Sequence, residues 1–221
     1  EDEASPLPEP TAVVLGAGPI RIGQGIEFDY SSVKAVEALR EEGFKSIIIN
    51  NNPETVSTDC DVSDRLYFEP LTPEDVKNVL AKENPAAVFT QFGGQVSIKL
   101  GAALAQAGYP LCGSDQETID LAEDRRRFRA LLAELGIPQP AGGTARTPDE
   151  ARAVAAALGY PLLLRPSYVL GGQAMQIVES EEELETYARW AFAASPGDPV
   201  LIDRYLPGIE LEVDAVTDGT D

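Results

Sequence analysis

Residues 11–30, TAVVLGAGPIRIGQGIEFDY, decide the fold. The first five are a short apolar run that reads as a buried strand, and it empties into a glycine-rich turn. A strand followed by such a turn and then a helix is the usual setting for a held phosphate. The spacing nevertheless fits neither common cradle. A dinucleotide fingerprint is G-x-G-x-x-G, with an acid about 20 residues further on for the ribose. Here the third glycine, Gly23, comes two residues late, and the second apolar run ends in Asn50-Asn51-Asn52. A Walker A loop needs Lys and Ser or Thr after its last glycine. Gly18 to Gly23 has the G-x-x-x-x-G frame, but Gln24-Gly25 follows. Two readings stand for the turn: a tight strand-to-helix connection, and an anion site that uses Arg21 as a clamp.

Outward from this stretch, strand and helix signals alternate. SSVKAVEALREEGF carries Val33, Val36 and Leu39 at helical spacing, with Ser31 or Ser32 as cap and Gly43 as stop. SIIIN (46–50) predicts a second buried strand, and RLYFEP (65–70) a short one. Pro73 opens a helix, AAVFTQ (86–91) is a strand ending in Gly93-Gly94, and the helix SIKLGAALAQAG and the strand YPLCG follow. This is the rhythm of a doubly wound, mainly parallel α/β sheet, in which ligands sit at the carboxyl ends of the strands. The glycine turn, 50–61 and the polar tip 91–95 all fall there.

The texture changes near residue 115. QETIDLAEDRRRFRALLAELGI reads as one helix and PQPAGGTART as a loop. Thr147-Pro148-Asp149-Glu150 starts a helix with a cap, an early proline and a glutamate three residues on. YPLLLRPS and AMQIVES are strands, EEELETYARWAFAA is a helix, and VLIDRYL and IELEVDAVTDG are strands. Together they predict a small α+β lobe. Asp218-Gly219 signals a hairpin whose returning strand is absent, so the chain is expected to be a piece of something longer.

Composition narrows the function classes. With 37 acidic and 17 basic residues the net charge is -20, which argues against a nucleic-acid partner. The absence of histidine excludes Cys–His, Ser–His–Asp and His-based zinc sites within this chain. Two cysteines, Cys60 and Cys112, without ligand spacing suit a reducing cytosol. No apolar run approaches the roughly 18 residues of a membrane span, so no membrane role is expected. EDEASPLPEP (1–10) reads as an acidic, Pro-rich linker or leader.

Two constellations in the second region carry chemistry. Arg165 ends the apolar strand LLLRPS, where a charge is costly unless it meets an anion, and Gly171-Gly172 follow in a loop that could cover phosphates. In VLIDRYLPGIELEVD (200–214), Glu210, Glu212 and Asp214 alternate and would share one face of a strand. Glu210 would suit ribose hydroxyls, Leu206 an adenine face, and Asp203 or backbone its amino group.

These stretches together resemble the large subunit of carbamoyl phosphate synthase: GAGPIRIGQGIEFDY, NNPETVSTD (51–59), SDRLYFEP (63–70), QFGGQ (91–95), AEDRRRF (122–128) and RPSYVLGG (165–172). Asn-Pro-Glu-Thr at 52–55, Arg21 and RPSYVLGG resemble the second, carbamate-phosphorylating half more than the first. The resemblance implies a Rossmann-like pre-ATP-grasp domain over 11–120. Residues 121–221 would then begin an ATP-grasp domain with its small α+β lobe. The implied activity is ATP-dependent phosphorylation of carbamate to carbamoyl phosphate, for pyrimidine and arginine biosynthesis. The implied cofactors are ATP with Mg2+ or Mn2+, and K+. The implied partners are a glutaminase small subunit and the rest of the large subunit, in an oligomer. Carried over, Arg165 is the catalytic candidate and contacts phosphates; Arg125, Gly171, Gly172, Arg204, Leu206 and Glu210 complete the ATP set. Arg21, Glu27, Gln91 and Gln95 are the acceptor-side candidates, which moves the glycine turn away from ATP. The metal ligands are expected beyond residue 221, which would leave this piece inactive alone. Gln173 and Arg204 depart from the family's frequent Arg and His. The alternatives are another ATP-grasp ligase, such as a biotin carboxylase, and a non-catalytic interaction module.

Overall fold

The computed structural model describes residues 5–20, 25–166, 175–194 and 199–213, which form two compact units, 1–135 and 136–221. In the first unit β1 (Thr11–Leu15), β2 (Lys45–Ile49), β3 (Arg65–Tyr67), β4 (Ala87–Phe89) and β5 (Leu111–Cys112) form one sheet in the order β3-β2-β1-β4-β5. Every pairing is parallel, with Val13 opposite Ile47 on one side and Val88 on the other. β1 and β2 are nearly continuous apolar runs because both faces of the sheet are covered. Val13, Leu15, Ile47, Ile49 and Val88 pack with α2 (Pro73–Glu83) and α4 (Gly101–Gln106), whereas Val14 and Ile48 pack with Val36 of α1 (Glu27–Glu41). The sheet is therefore doubly wound, as expected. The strand order reverses between β1 and β4, and in such sheets ligands bind at this switch point, outside the carboxyl ends of the strands.

Several local expectations change. The first helix starts at Glu27, a turn before the expected serine caps. The Ile26 carbonyl starts its ladder, Glu27 and Asp29 suit the helix dipole, and Ser32 sits inside, bonded to the Phe28 carbonyl. The helix expected over SIKLGAALAQAG is two short ones, α3 (Gly94–Ile98) and α4. The helix expected over 116–137 breaks into α5 (Gln116–Glu123) and α6 (Arg125–Glu134). Asp124 causes this break: it leaves helical geometry and accepts the N–H groups of Arg126 and Arg127 as the cap of α6.

The second unit is a four-stranded antiparallel sheet, β6 (Gly142–Ala145), β7 (Leu162–Pro166), β8 (Gln176–Val178) and β9 (Val200–Arg204), in the order β6-β9-β7-β8. α7 (Pro148–Leu158) and α8 (Glu181–Ala194) cover it through Ala151, Ala155, Leu184 and Ala188. α7 is capped as its sequence predicts, with Thr147 accepting from Glu150 N. β6 falls where a loop was expected. The strand expected over IELEVDAVTDG is not formed in its described part, Ile209–Val213. Ile209, Leu211 and Val213 are 92%, 84% and 87% exposed, and alternation without a ladder partner does not hold a strand.

Candidate functional site

At the carboxyl edge of the first sheet three segments interlock. A Cβ on Gly93 would lie 2.1 Å from the Gly16 carbonyl oxygen, so only glycine lets the β4 tip touch the turn after β1. A Cβ on Gly16 would lie 2.4 Å from Asn50 Cγ, so that glycine makes room for the Asn50 side chain. Asn50 is buried; its Oδ1 accepts from Gly18 N at 2.9 Å and its Nδ2 donates to Ser57 Oγ at 3.0 Å. Ser57 N in turn donates to both Asp29 carboxylate oxygens, at 3.2 and 3.3 Å. Thr58 Oγ1 donates to the Asn52 carbonyl. The asparagines that replace the acid of a dinucleotide fold thus tie the glycine turn to the 50–59 loop and to α1.

Of the acceptor-side candidates, Arg21 lies outside the described residues. Glu27 is exposed and folds back to accept from Gly25 N at 3.3 Å. Gln91 donates to the Ser114 carbonyl at 3.3 Å and Gln95 to Glu123 at 3.1 Å. All three stand at the same edge, and both amides brace the loop and helix after β5. Arg125, the first residue of α6, is exposed.

Elsewhere in the first unit a carboxylate is fully buried. Glu83 accepts from Tyr67 Oη, from Arg65 at 2.6 Å and from Leu7 N at 2.9 Å. Burial pushes Glu83 up, but these donors outweigh it and hold the carboxyl below its usual range. Burial, reinforced by the bond to Glu83, pushes Tyr67 to about 12. The described part of the leader is thereby anchored, with Leu7 packed on the core.

In the second unit Arg165 ends β7 and donates through Nη2 to Asp203 of β9, a buried residue. Asp203, expected near a ligand amino group, instead meets this guanidinium. Arg165 Nε is buried and has no hydrogen-bond partner among the described residues. A buried, unpartnered cationic donor fits a phosphate oxygen. Arg204 turns its guanidinium to the Leu158 carbonyl, the last of α7, and its N–H goes to Ala141 O, so its side chain caps a helix. Leu206 and Glu210 are exposed. Gly171 and Gly172 lie outside the described residues. Among the described residues no group of three potential ligands could hold a metal, and no helix is long and apolar enough to cross a membrane.

The fold, a doubly wound unit followed in sequence by a small antiparallel lobe, is shared with known proteins. The family described as "Carbamoyl phosphate synthase preATP-grasp domain" matches residues 8–121. "Carbamoyl-phosphate synthase L chain, ATP binding domain" matches residues 124–221. The chain belongs to the carbamoyl phosphate synthase large-chain family. The large chain of carbamoyl phosphate synthase from Thermomicrobium roseum is 59% identical over 225 residues, which is 99% of this chain and 21% of that one. The chain thus spans about a fifth of the length of the curated relative it matches. Among solved structures, the Campylobacter jejuni biotin carboxylase–ATP complex superposes with a TM-score of 0.70 at 17% identity, over 90% of this chain and 46% of that one. The biotin carboxylase domain of Hydrogenobacter thermophilus 2-oxoglutarate carboxylase, solved with MgADP, ADP and bicarbonate, gives 0.69 at 21%, over 89% and 44%. At such identities the likeness shows a shared fold. The family matches meet between 121 and 124, whereas the compact first unit runs to Leu135 and so takes in α5 and α6.

Proposed function

We propose that this chain supplies the acceptor-side domain and the small nucleotide lobe of the second, carbamate-phosphorylating half of a carbamoyl phosphate synthase large chain. The family match supports ATP-dependent ligase chemistry. The choice of half rests on Asn52-Pro53-Glu54-Thr55, Arg21 and RPSYVLGG. The observation that carries the nucleotide assignment is Arg165 Nε, buried and without a partner among the described residues. Asp203 holds one side of the guanidinium and so orients the free donor toward a phosphate oxygen. In the reaction a carbamate oxygen attacks the γ-phosphorus of ATP, the bond to the β,γ-bridging oxygen breaks, and ADP leaves. Positioning and charge stabilisation suffice for this transfer, so a chain without histidine can take part.

Arg165, Gly171 and Gly172 hold phosphates in this reading, and Arg125 helps to bind the nucleotide. Leu206 and the Arg204 backbone line the base, and Glu210 meets the ribose. Arg21, Glu27, Gln91 and Gln95 face the acceptor. Mg2+ or Mn2+, with K+, would neutralise charge on the phosphates, and among the described residues no group of three potential ligands could hold such an ion. A glutaminase subunit and the rest of the large chain, in a cytoplasmic oligomer, complete the enzyme for pyrimidine and arginine biosynthesis. The test is ATP formation from ADP and carbamoyl phosphate by the full-length large chain. Turnover that falls on Arg165→Ala supports the reading. Its absence in the wild type, with bicarbonate- and biotin-dependent ATP hydrolysis instead, would make the chain a carboxylase relative.

A further inference from the structure

The acceptor edge is built largely from connections between regular elements, with only Glu27 and Gln95 at the first turns of helices. The connections are the turn after β1, the 50–59 loop and the tip after β4. Three connections stay in register only if something inside them fixes their spacing. Asn50 is placed to do this. It follows β2, is 1% exposed, and its amide lies in the space that Gly16 leaves by lacking a Cβ. Gly18 N–H can only donate, so Oδ1 must face the turn; Nδ2 then faces Ser57 Oγ. Ser57 passes the constraint to Asp29, in the first turn of α1 and two residues from Glu27. Both ends of the amide are thus used, and each bonds a different connection. The Gly16 carbonyl meets the β4 tip directly, beside Gln91 and Gln95.

We propose that Asn50 is a positioning residue for the acceptor: its amide sets the distance between the glycine turn and the 50–59 loop, and so the shape of the pocket that receives the carbamoyl group. The proposal rests on the functional reading above. The bonds of the Asn50 amide, to Gly18 and Ser57, lie within the first unit, so its loss should be felt by one substrate and not the other.

The experiment follows ATP formation by the full-length chain, varying carbamoyl phosphate and ADP separately. Asn50→Ala leaves a buried Gly18 N–H unbonded and is expected to raise the KM for carbamoyl phosphate about tenfold, with the KM for ADP within about twofold. Asn50→Asp keeps an acceptor for Gly18 and lets the Ser57 hydroxyl donate to the other oxygen, so it should recover most of the loss. Ser57→Ala, which keeps the Gly18 bond, should show a smaller rise in the same constant, and it decides the matter if Asn50→Ala does not fold. An unchanged KM for carbamoyl phosphate, a parallel rise in both constants, or an Asp variant no better than Ala would overturn the proposal. A wild type that forms no ATP would overturn the functional reading and this proposal with it, a result distinct from an active wild type indifferent to Asn50.

Discussion

In the first unit Asn50, Ser57 and Asp29 direct their polar groups at one another and at the glycine turn. In the second unit Arg165 keeps a buried Nε without a partner among the described residues, and Leu206 and Glu210 face outward. Asn50 and Arg165 look alike as sequence, since each is a polar residue at the carboxyl end of an apolar strand. What separates Asn50 from Arg165 is whether the fold satisfies them: both ends of the Asn50 amide are bonded, whereas Arg165 Nε, like Asn51 Oδ1 beside Asn50, has no partner among the described residues. A satisfied polar group shapes a site, and an unsatisfied one is available to a ligand.

The contrast can be broken most strongly at Glu83. Its removal leaves Arg65 and Tyr67 without their buried acceptor and frees Leu7 N–H. Glu83→Ala is expected to lower unfolding stability by about 4 kcal/mol, read by denaturant titration. Nucleotide affinity measured below the transition should not change, because the network is structural. A loss of affinity without loss of stability would place a ligand function in the first unit.

A second break uses pH. Burial alone would raise Asp64, but Ser46 N–H, Lys45 and the Ser46 hydroxyl hold it at about 2 against an ordinary 3.8. Its stabilisation is therefore complete above pH 3.8 and is lost as the pH falls toward 2. The loss amounts to about 2 kcal/mol. Unfolding followed from pH 5 downward should show this slope, and Asp64→Asn should flatten it.

The smallest expected effect is at Arg204. Arg204→Ala loses a bond to the last carbonyl of α7 and should cost about 1 kcal/mol of stability, with nucleotide affinity within about twofold. A larger change in affinity would mean that the side chain, and not the backbone, meets the base.

The architecture was legible in the sequence because β1, β2 and β4 are apolar runs punctuated by glycine, and because Pro73 and the cap Thr147 announce their helices. β6 was not legible: GGTA holds two glycines and no β-branched run, and becomes a strand only by pairing with β9. The break at Asp124 was hidden because capping aspartates and helix-interior aspartates look alike inside an apolar repeat. The bonds of Asn50 are hidden in the sequence for a similar reason. In sequence it marks only a missing acid, and the fold alone brings Gly18 and Ser57 to it. The Arg165–Asp203 pair spans 38 residues and depends on the β7–β9 register, which no local pattern reveals.

The division of labour between the units is tested most directly by calorimetric titration of the full-length chain with a non-hydrolysable ATP analogue, comparing wild type, Arg165→Lys and Asn50→Ala. Arg165→Lys keeps a charge for Asp203 but removes the planar Nε donor. The expected result is a weakening of about tenfold or more for Arg165→Lys and no change for Asn50→Ala. The reverse pattern, with affinity lost at Asn50 and kept at Arg165, would make the glycine turn the nucleotide cradle and contradict the account.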